Sequence, residues 1–412
     1  MAAGSRDALG IYVSIPFCRS KCTYCNFASG VYPAADQPRY VDRLIEDLVH
    51  ARAWAAGLDA RLPRRVDSVY LGGGTPSLLA PDLVVRLFAA IRAQFDLDPD
   101  AEITMECAPG QLSAETLAAI VAAGVNRVSL GVQSFIDREA HASGRLHSRA
   151  IVADDLRRLR AAGIANLNVD LIAGLAGQTF PSWEESLSVL IASGIPHASI
   201  YMLEVDEDSR LGREVLARGS RYHASLVPTD DAIARIYERA VERLEASGLR
   251  QYEISNFAHP GLESRHNLRY WQRRPYLGVG LDASSMLRAA PSAESSWRCT
   301  QPRDVFRATT TGDLKTYLAG PSTPEIARIA PAQQLEEAWF LGLRTNQGVE
   351  VAALEQEFGR ESVAPAMDNV TRLVADGLLT FNGRRLRLTA CGRLISNDVF
   401  QEFLELAPAA TA

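Results

Sequence analysis

The sequence predicts an α/β fold arranged as an open or partial barrel of six βα units. Short β-branched runs alternate with helical patterns from Ile11 to about Leu203, which is the pattern of a parallel sheet. Six units are too few to close an eight-stranded barrel, so we expect an incomplete one. The predicted strands are Ile11–Ile15, Ser68–Leu71, Glu102–Glu106, Arg127–Leu130, Asn168–Ile172 and His197–Leu203.

The predicted helices have typical start and stop residues. Ser113 and Ser148 are suited to be N-caps, and Gly124, Gly163 and Gly194 stand where a left-handed glycine ends a helix. The helical patterns are Tyr40–Arg52, Pro81–Gln94, Ser113–Ala123, Ser148–Ala162, Pro181–Ser193 and Thr229–Ala246.

Composition limits the class of protein. The 412 residues predict two or three domains, and no apolar run approaches the roughly 20 residues that span a bilayer. The net charge of −6 gives no general attraction to nucleic acid. The first ten residues lack the apolar segment of a signal peptide, so we expect a cytoplasmic protein.

Three cysteines follow the first predicted strand. Cys18, Cys22 and Cys25 have the spacing C-x3-C-x2-C, and the next cysteine is Cys107. A structural zinc site and an ordinary 4Fe–4S cluster both take four protein ligands. Three ligands would therefore leave one iron of a cluster open for a small molecule. Buried structural thiols are the alternative, whereas the odd number and the expected compartment disfavour disulfides.

Polar residues stand at or near the ends of the predicted strands. Gly72–Thr75 follows the second strand, Glu106 ends the third, Gln133 comes after the fourth and Asp170 lies on the fifth. The carboxyl ends of parallel strands meet on one face, where α/β proteins build their sites. We therefore expect these residues and the cysteines to share one site.

Structural interpretations of these residues stay open at this stage. The glycine run could form a tight βα turn, and Glu106 could be a solvated strand end. A buried carboxylate at Asp170 needs partners, which could be ligand groups or a salt bridge with Arg127 or Arg145.

Six motifs taken together resemble the oxygen-independent coproporphyrinogen III oxidase family of the radical S-adenosylmethionine (SAM) superfamily. They are IPFCRSKCTYCNF, GGGTPS, ECAPG, RVSLGVQSF, GRLH and DLIAGLAGQT. The resemblance implies a TIM-like radical SAM barrel and a 4Fe–4S cluster on Cys18, Cys22 and Cys25. It also implies that the open iron binds SAM, which an electron from the cluster cleaves. The residues that it places around SAM are Tyr12, Tyr24, Gly74, Thr75, Glu106, Gln133, Arg145 and Asp170.

A second informative stretch is HNLRYW. An imidazole beside large aromatic side chains suits a flat macrocycle, although such residues could also fill an interdomain seam. The longer pattern YEISNFA-x-PG-x-ESRHNLRYW resembles the HemW branch of the family, whose members are regarded as haem chaperones. The resemblance implies a haem site at His266, Tyr270 and Trp271. His147 and His259 are less specific candidates for a ligand.

Two departures from the family patterns bear on function. Coproporphyrinogen dehydrogenases carry a further cysteine two residues after the third cluster cysteine, where this chain has Phe27, as does the HemW branch. The segment Gly278–Met286 reads GVGLDASSM, where the branch usually has GPGAHS. The first departure disfavours the decarboxylase, and the second removes a histidine that could contact haem.

The last hundred residues predict a separate small domain. A connection of mixed polarity, 297–324, precedes helical patterns and a hairpin closed by Asn382-Gly383, the preferred type I′ turn. Helices followed by a hairpin indicate a winged-helix-like unit, and the segment also resembles the C-terminal domain of the same family. The helical patterns and the hairpin are Pro331–Leu343, Val349–Glu357, Ser362–Asp376 and Leu378–Leu388.

The remaining cationic and thiol side chains have plain structural interpretations. Four arginines of this unit could contact nucleic acid, but in an acidic chain a solvated face is favoured. They are Arg384, Arg385, Arg387 and Arg393. The isolated Cys107, Cys299 and Cys391 are predicted to be packing residues.

We therefore expect three parts: a radical SAM partial barrel at 1–205, an extension with HNLRYW at 206–300 and a C-terminal domain at 301–412. The resemblance implies a haem-binding radical SAM protein that passes haem to an acceptor protein. An enzyme that decarboxylates coproporphyrinogen III oxidatively, or one that acts on another substrate, is the alternative. The expected partners are haem, a haem acceptor that could be membrane-associated and an electron donor such as flavodoxin or ferredoxin, with no nucleic acid.

Overall fold

The computed structural model of the protein describes residues 8–290, 304–321 and 324–404. Its strands form one thirteen-stranded and one three-stranded sheet. The large sheet contains β1 (Leu9–Ile15), β2 (Ala60–Arg61), β3 (Arg65–Gly73), β4 (Asp96–Cys107), β5 (Arg127–Gln133), β6 (Asn166–Ala173), β7 (His197–Met202), β8 (Arg250–Gln251), β9 (Asn256–Ala258), β10 (Tyr276–Val279), β11 (Ser284–Ala289), β12 (Val305–Thr309) and β13 (Glu325–Ile329).

The centre of this sheet confirms the predicted fold class. The six predicted strands run parallel in the order β1-β3-β4-β5-β6-β7, and β10 adds a seventh parallel strand on the other side of β1. The order is open, as a partial barrel requires. Antiparallel strands extend both edges: β11, β12 and β13 on one side, and β9 and β8 on the other.

The register of the parallel strands sorts polar from apolar side chains. Tyr12 pairs with Tyr70, Tyr70 with Thr104 and Thr104 with Arg127, so these four side chains share one face. The alternate positions, such as Ile11, are apolar and buried in the main hydrophobic core. One face of the sheet is therefore polar, and the other packs against helices.

The helices agree with their predicted start and stop residues in most places. Ser113 accepts a hydrogen bond from the Thr116 amide, whereas the side chain of Ser148 caps nothing. Gly124, Gly163 and Gly194 have φ values of 86°, 88° and 63°, which confirms left-handed helix ends. The helices of this part are α1 (Gln37–Gly57), α2 (Pro81–Gln94), α3 (Ala114–Ala122), α4 (Asp137–Ala142), α5 (Arg149–Ala161), α6 (Phe180–Ala192), α7 (Arg210–Leu216), α8 (Asp230–Ala246), α9 (Arg265–Trp271) and α10 (Leu314–Ala319).

The large sheet extends past the boundary predicted at residue 300. Strand β12 pairs with β11 and β13, so the described part of the predicted connection 297–324 contains a strand and helix α10 instead of loop alone. These strands escaped the sequence pattern because they have only five residues each and β13 exposes four of them. Residues 297–303 lie outside the described part.

The C-terminal unit has the predicted winged-helix-like arrangement. Its small sheet has the order β14 (Val349–Glu350), β16 (Arg385–Leu388), β15 (Leu379–Phe381), and Gly383 in the hairpin turn has φ 82°. Two short helices near the end were not predicted. The helices of this unit are α11 (Pro331–Arg344), α12 (Val351–Phe358), α13 (Arg360–Val363), α14 (Ala366–Ala375), α15 (Ala390–Leu394) and α16 (Ser396–Gln401).

Two predicted details of side chains have different outcomes. Cys107 is buried as expected, but Cys391 is exposed, so its assignment as a packing residue is wrong; Cys299 lies outside the described residues. Arg384 and Arg385 both pair with Glu350, which agrees with a solvated face. None of the described helices is long and apolar enough to cross a membrane.

Candidate functional site

The three clustered cysteines lie on a loop whose base is tied to its neighbours. We call residues 16–30 the cluster loop. The Cys18 amide donates to the Gly30 carbonyl at 2.9 Å, and the Gly30 amide donates to the Pro16 carbonyl at 2.9 Å. The Thr75 amide donates to the Phe17 carbonyl at 2.8 Å. The loop therefore leaves and re-enters the fold at a fixed place above the end of β1.

Further contacts hold the tip of the cluster loop. The Thr23 amide donates to the Ser143 carbonyl at 3.0 Å, and the Thr23 carbonyl accepts from the Leu211 amide at 2.8 Å. Lys21 Nζ donates to the carbonyls of Phe27 and Ser29 at 3.0 and 2.9 Å. Hydrogen bonds therefore hold both the base and the tip of the loop that contains the three cysteines.

The donor set of this loop fits an iron–sulfur cluster. All three thiols are free, Thr75 Oγ1 donates to Cys18 Sγ at 3.8 Å, and Cys25 Sγ lies 3.9 Å from Ser29 Oγ. Burial raises the pKa of the Cys18 thiol, and the nearby hydroxyls oppose that rise. Within the described ranges, no three His, Cys, Asp or Glu side chains are grouped to hold a single ion. A cluster does not require that, because each thiolate binds a different iron.

The glycine run after β3 packs backbone against backbone on the cluster loop. A Cβ atom on Gly74 would lie 2.8 Å from the Pro16 carbonyl carbon and 2.9 Å from the Ile15 and Phe17 oxygens. Gly73 has φ 103°, a conformation that side chains disfavour. The glycine run therefore lets the backbone after β3 pack directly against the cluster loop, in addition to forming a tight turn.

Glu106 presents a buried carboxylate at the end of β4. Its Oε1 accepts from the Tyr70 hydroxyl at 2.8 Å, and its Oε2 accepts from the Gly73 amide at 3.2 Å. Burial, together with the nearby Asp170 carboxylate, raises the pKa of this carboxyl to about 7. The residue is half-buried and both of its carboxylate oxygens accept protein hydrogen bonds, so it is not a freely solvated strand end.

Asp170 is held by neutral groups. Ser129 Oγ donates to its Oδ2 at 3.1 Å and Asn168 Nδ2 to its Oδ1 at 2.7 Å, while burial raises its pKa. Neither Arg127 nor Arg145 forms an ion pair with it among the described residues. Such a carboxylate retains capacity to accept from a ligand.

Gln133 and Arg145 carry buried polar atoms that have no protein partner within the described part of the chain. They are Gln133 Oε1 and Arg145 Nε. Arg145 Nη2 donates to the Tyr24 hydroxyl at 3.2 Å. Gln133 ends β5 with φ 67°, a strained backbone for a residue with a side chain. Unpaired buried donors and acceptors are costly, so both atoms are available to bond a polar ligand.

Tyr12 completes the polar face on β1. Its ring stacks on Tyr70 with 6.1 Å between the ring centres. Burial raises the pKa of Tyr12 and of Tyr24, which keeps both phenols protonated. The predicted SAM residues thus lie on β1 and β4–β6, directly after β3, in the cluster loop and, for Arg145, in the segment between α4 and α5.

The HNLRYW hexapeptide, which we call the haem element, is a separate group. His266 is only 1% exposed; its Nδ1 bonds Ser68 Oγ at 3.0 Å and its Nε2 bonds the Tyr270 hydroxyl at 2.9 Å. Burial lowers the pKa of His266 to about 3, so the imidazole is neutral. Both ring nitrogens are engaged in this conformation.

Buried charges anchor the helix that carries the haem element. The Glu102 carboxylate accepts from the Arg265 and His266 amides at 2.9 and 3.0 Å. Arg269 is fully buried and pairs with Asp67. Helix α9 is thereby fixed against the polar face near the starts of β3 and β4, on the opposite side of Tyr70 from Glu106.

The other two histidine candidates differ in access. His147 is 2% exposed, its Nε2 lies 3.1 Å from the Val132 carbonyl, and burial lowers its pKa to about 4. His259 is half-buried, with Nδ1 3.1 Å from the Gly248 carbonyl.

Three further residues support these groups and were not predicted. Tyr70 contacts both Glu106 and His266, whereas Ser68 and Glu102 bond the haem element. A signal was present. Polar residues alternate with apolar ones at 68 and 70 and again at 102, 104 and 106, which marks one polar face on each strand.

The comparisons with known proteins agree with this arrangement. The family model of the radical SAM superfamily matches residues 12–190, and that of the HemN C-terminal domain matches residues 329–395. Haem chaperone HemW of Escherichia coli is 36% identical over 96% of this chain and 98% of its own length. Haem chaperone HemW of Lactococcus lactis is 32% identical, over 95% and 96%.

Two further similarities extend beyond these relatives. The mitochondrial radical S-adenosyl methionine domain-containing protein 1 of Mus musculus is 32% identical over 98% of this chain and 88% of its own. The structure of coproporphyrinogen III oxidase (HemN) from Escherichia coli superposes with a TM-score of 0.80 and 22% identity, covering 98% of this chain and 92% of that one. At that identity the likeness shows a shared fold.

Proposed function

The chain belongs to the HemW family within the radical SAM superfamily, and on that premise we propose that it binds haem and delivers it to an acceptor protein. Membership of the superfamily implies a 4Fe–4S cluster and SAM. The observation that carries the proposal is the similarity to haem chaperones over nearly the whole length of both chains, 36% in one case. The proposal includes a cytoplasmic location and an electron donor of the flavodoxin or ferredoxin class.

The proposal assigns the cluster to Cys18, Cys22 and Cys25. When bound, the cluster supplies an electron and an open iron for SAM. The hydroxyls of Thr75 and Ser29 lower the pKa of the Cys18 thiol against the effect of burial, which favours the charged form that binds iron.

The proposal assigns SAM to the polar face beside the cluster loop. Glu106 and Asp170 offer carboxylates to amine or ribose hydroxyl groups, and Gln133 Oε1 and Arg145 Nε offer unpaired polar atoms. Gly74, which packs against the backbone of the cluster loop, is included with Thr75, Tyr12 and Tyr24 as further contacts.

Haem is assigned to His266, Tyr270 and Trp271. A neutral imidazole can bind iron, and burial keeps that of His266 neutral. The lone pair of its Nε2 would be free for iron only if the Tyr270 hydroxyl turned away, since the two atoms lie 2.9 Å apart. Haem binding therefore requires an opening at this pair.

Oxidative decarboxylation of coproporphyrinogen III has less support. Phe27 stands where that branch of the family carries a further cysteine, and its side chain is 63% exposed on the cluster loop. Formation of protoporphyrinogen under anaerobic turnover would restore this alternative.

An anaerobic haem titration, followed by the Soret band, tests the proposal. The reconstituted parent should bind haem saturably. The His266→Ala variant should bind at least tenfold more weakly, whereas Tyr270→Phe should bind at least as tightly as the parent, because it leaves Nε2 without its hydroxyl partner. Parent protein that has a full cluster and does not bind haem would contradict the chaperone function. Loss of haem binding in His259→Ala but not in His266→Ala would reassign the iron ligand from His266 to His259.

A further inference from the structure

Tyr70 is the side chain between the two proposed ligand sites. Its hydroxyl donates to Glu106 Oε1 at 2.8 Å, and its ring centre lies 5.3 Å from that of His266. Burial holds the pKa of Tyr70 well above its ordinary value, so the phenol remains a donor at any physiological pH. One rigid side chain therefore contacts both the carboxylate assigned to SAM and the imidazole assigned to haem.

The His266 side of this contact has to move when the histidine binds iron. Both of its ring nitrogens are engaged here, and the ring packs at 31° to Tyr70 and at 33° to Tyr12. Release of Nε2 from Tyr270 changes the position of the imidazole in this stack. Any shift that Tyr70 makes in response also displaces the hydroxyl that holds Glu106.

We propose that Tyr70 is a positioning residue that couples the two sites, so that SAM binding and haem ligation oppose each other. The inference rests on the proposed function and concerns how the same protein is regulated. SAM bound through Glu106 favours the conformation described here, in which Tyr70 holds that carboxylate and His266 is closed. Haem favours the conformation in which His266 has been released.

The coupling gives a direction to haem transfer. A ligand shifts an equilibrium by its difference in affinity for the two conformations, and the effect is reciprocal. Loading with SAM should therefore weaken the hold on haem and promote its transfer to the acceptor. Haem should weaken SAM binding by the same factor.

A second hydrogen-bonded chain reaches helix α9 by another route but does not contact the imidazole. It ends at the Ser264 amide, which donates to the Tyr252 hydroxyl at 3.2 Å. It runs through Asp170, Asn168, His197 and Tyr252. Of the two tyrosine rings that pack on His266, Tyr70 is the nearer, at 5.3 Å against 6.5 Å for Tyr12, and its hydroxyl is bonded to Glu106.

Haem titrations with and without saturating SAM test this inference, performed anaerobically and without reductant so that SAM stays intact. In the parent, SAM should raise the haem Kd about fivefold or more, and haem should raise the SAM Kd by the same factor. Tyr70→Phe keeps the ring and removes the hydroxyl. It should bind haem alone within about threefold of the parent and reduce the SAM effect to less than about twofold.

Tyr276→Phe is the matched control. Its ring packs on Tyr270, 4.7 Å between centres, and it has no contact with Glu106, so it should keep the effect seen in the parent. Iron content and circular dichroism should match in all three proteins. A parent whose haem affinity is unchanged or strengthened by SAM would overturn the inference, whether or not Tyr70→Phe folds, and so would a Tyr70→Phe variant with undiminished coupling. A parent that binds no haem contradicts the proposed function instead.

Discussion

Glu106 is a carboxyl group that changes its charge near neutral pH. It is surrounded by Tyr70, the Gly73 amide and the carboxylate of Asp170, with no cation bonded to it in the described structure. Burial disfavours the charged form and raises the pKa to about 7. Above that pH the group is mostly an acceptor with a full charge, and below it the group is mostly a neutral acid.

SAM affinity should consequently fall as the pH is lowered from 8 to 6. A raised pKa means that the carboxylate is lost below about 7, and with it the attraction to an amine or hydroxyl donor. The fall approaches tenfold for each pH unit below 7 if the charged form alone binds. Equilibrium SAM binding to the cluster-loaded protein measures this. Glu106→Gln should bind more weakly and with a flatter profile; an equal slope in both proteins would show that another group is responsible.

The cluster loop and the glycine run act as one unit at the scale of elements. The Gly74 amide donates to the Ile15 carbonyl at 2.8 Å, and Gly74 has no room for a side chain because three backbone atoms lie within 3.0 Å of the Cβ position. The cysteines can therefore be positioned by strand β3 as well as by their own loop.

Gly74→Ala should displace the cluster loop and lower the iron and sulfide content after anaerobic reconstitution. Overpacking of this kind costs about 1–3 kcal/mol, so we expect less than half of the parent's iron. Gly57→Ala, at the end of α1 with no atom within 4 Å of the Cβ position, is the matched control and should retain the parent's content. The triple Cys18, Cys22, Cys25→Ala variant sets the zero level. Full loading of Gly74→Ala would show that the loop tolerates the shift.

The C-terminal unit contacts the barrel through a buried charge at the scale of the whole molecule. Arg344 at the end of α11 donates from Nε to Glu253 Oε2 at 3.0 Å, and Glu253 is fully buried. The same guanidinium lies 4.4 Å above the ring of Trp271 in the haem element. The unit therefore supports the proposed haem site from outside.

Arg344→Met should lower the free energy of unfolding by about 2 kcal/mol, because it leaves Glu253 buried without its cation. This estimate is below that for a fully buried pair, since the Arg344 side chain is 28% exposed. Urea unfolding measures the change. Arg384→Met is the control: it breaks an ion pair whose arginine is 71% exposed and should cost less than about 1 kcal/mol. Equal losses in the two variants would contradict the role of the Arg344 contact.

Local patterns in the sequence determined the parallel sheet, the Ser113 cap and the left-handed glycines that end three helices. Strand and helix periods depend on neighbours a few residues apart, so the six strands and the C′ glycines were predictable. The assignment of the clustered cysteines to an iron–sulfur cluster stays a prediction. The division into three parts stays a prediction, as does the assignment of individual residues to SAM and haem.

The tertiary structure alone decided how the haem element meets the rest of the protein. His266 bonds Ser68, 198 residues away, and Glu102 holds the start of α9 from 164 residues away. The local sequence does not reveal these distant partners. A histidine beside two aromatic residues has the same sequence pattern whether its ring nitrogens are free or hydrogen-bonded. Strands β12 and β13 were not predicted for a related reason: each has only five residues, β13 exposes four of its five, and both form by pairing within the large sheet.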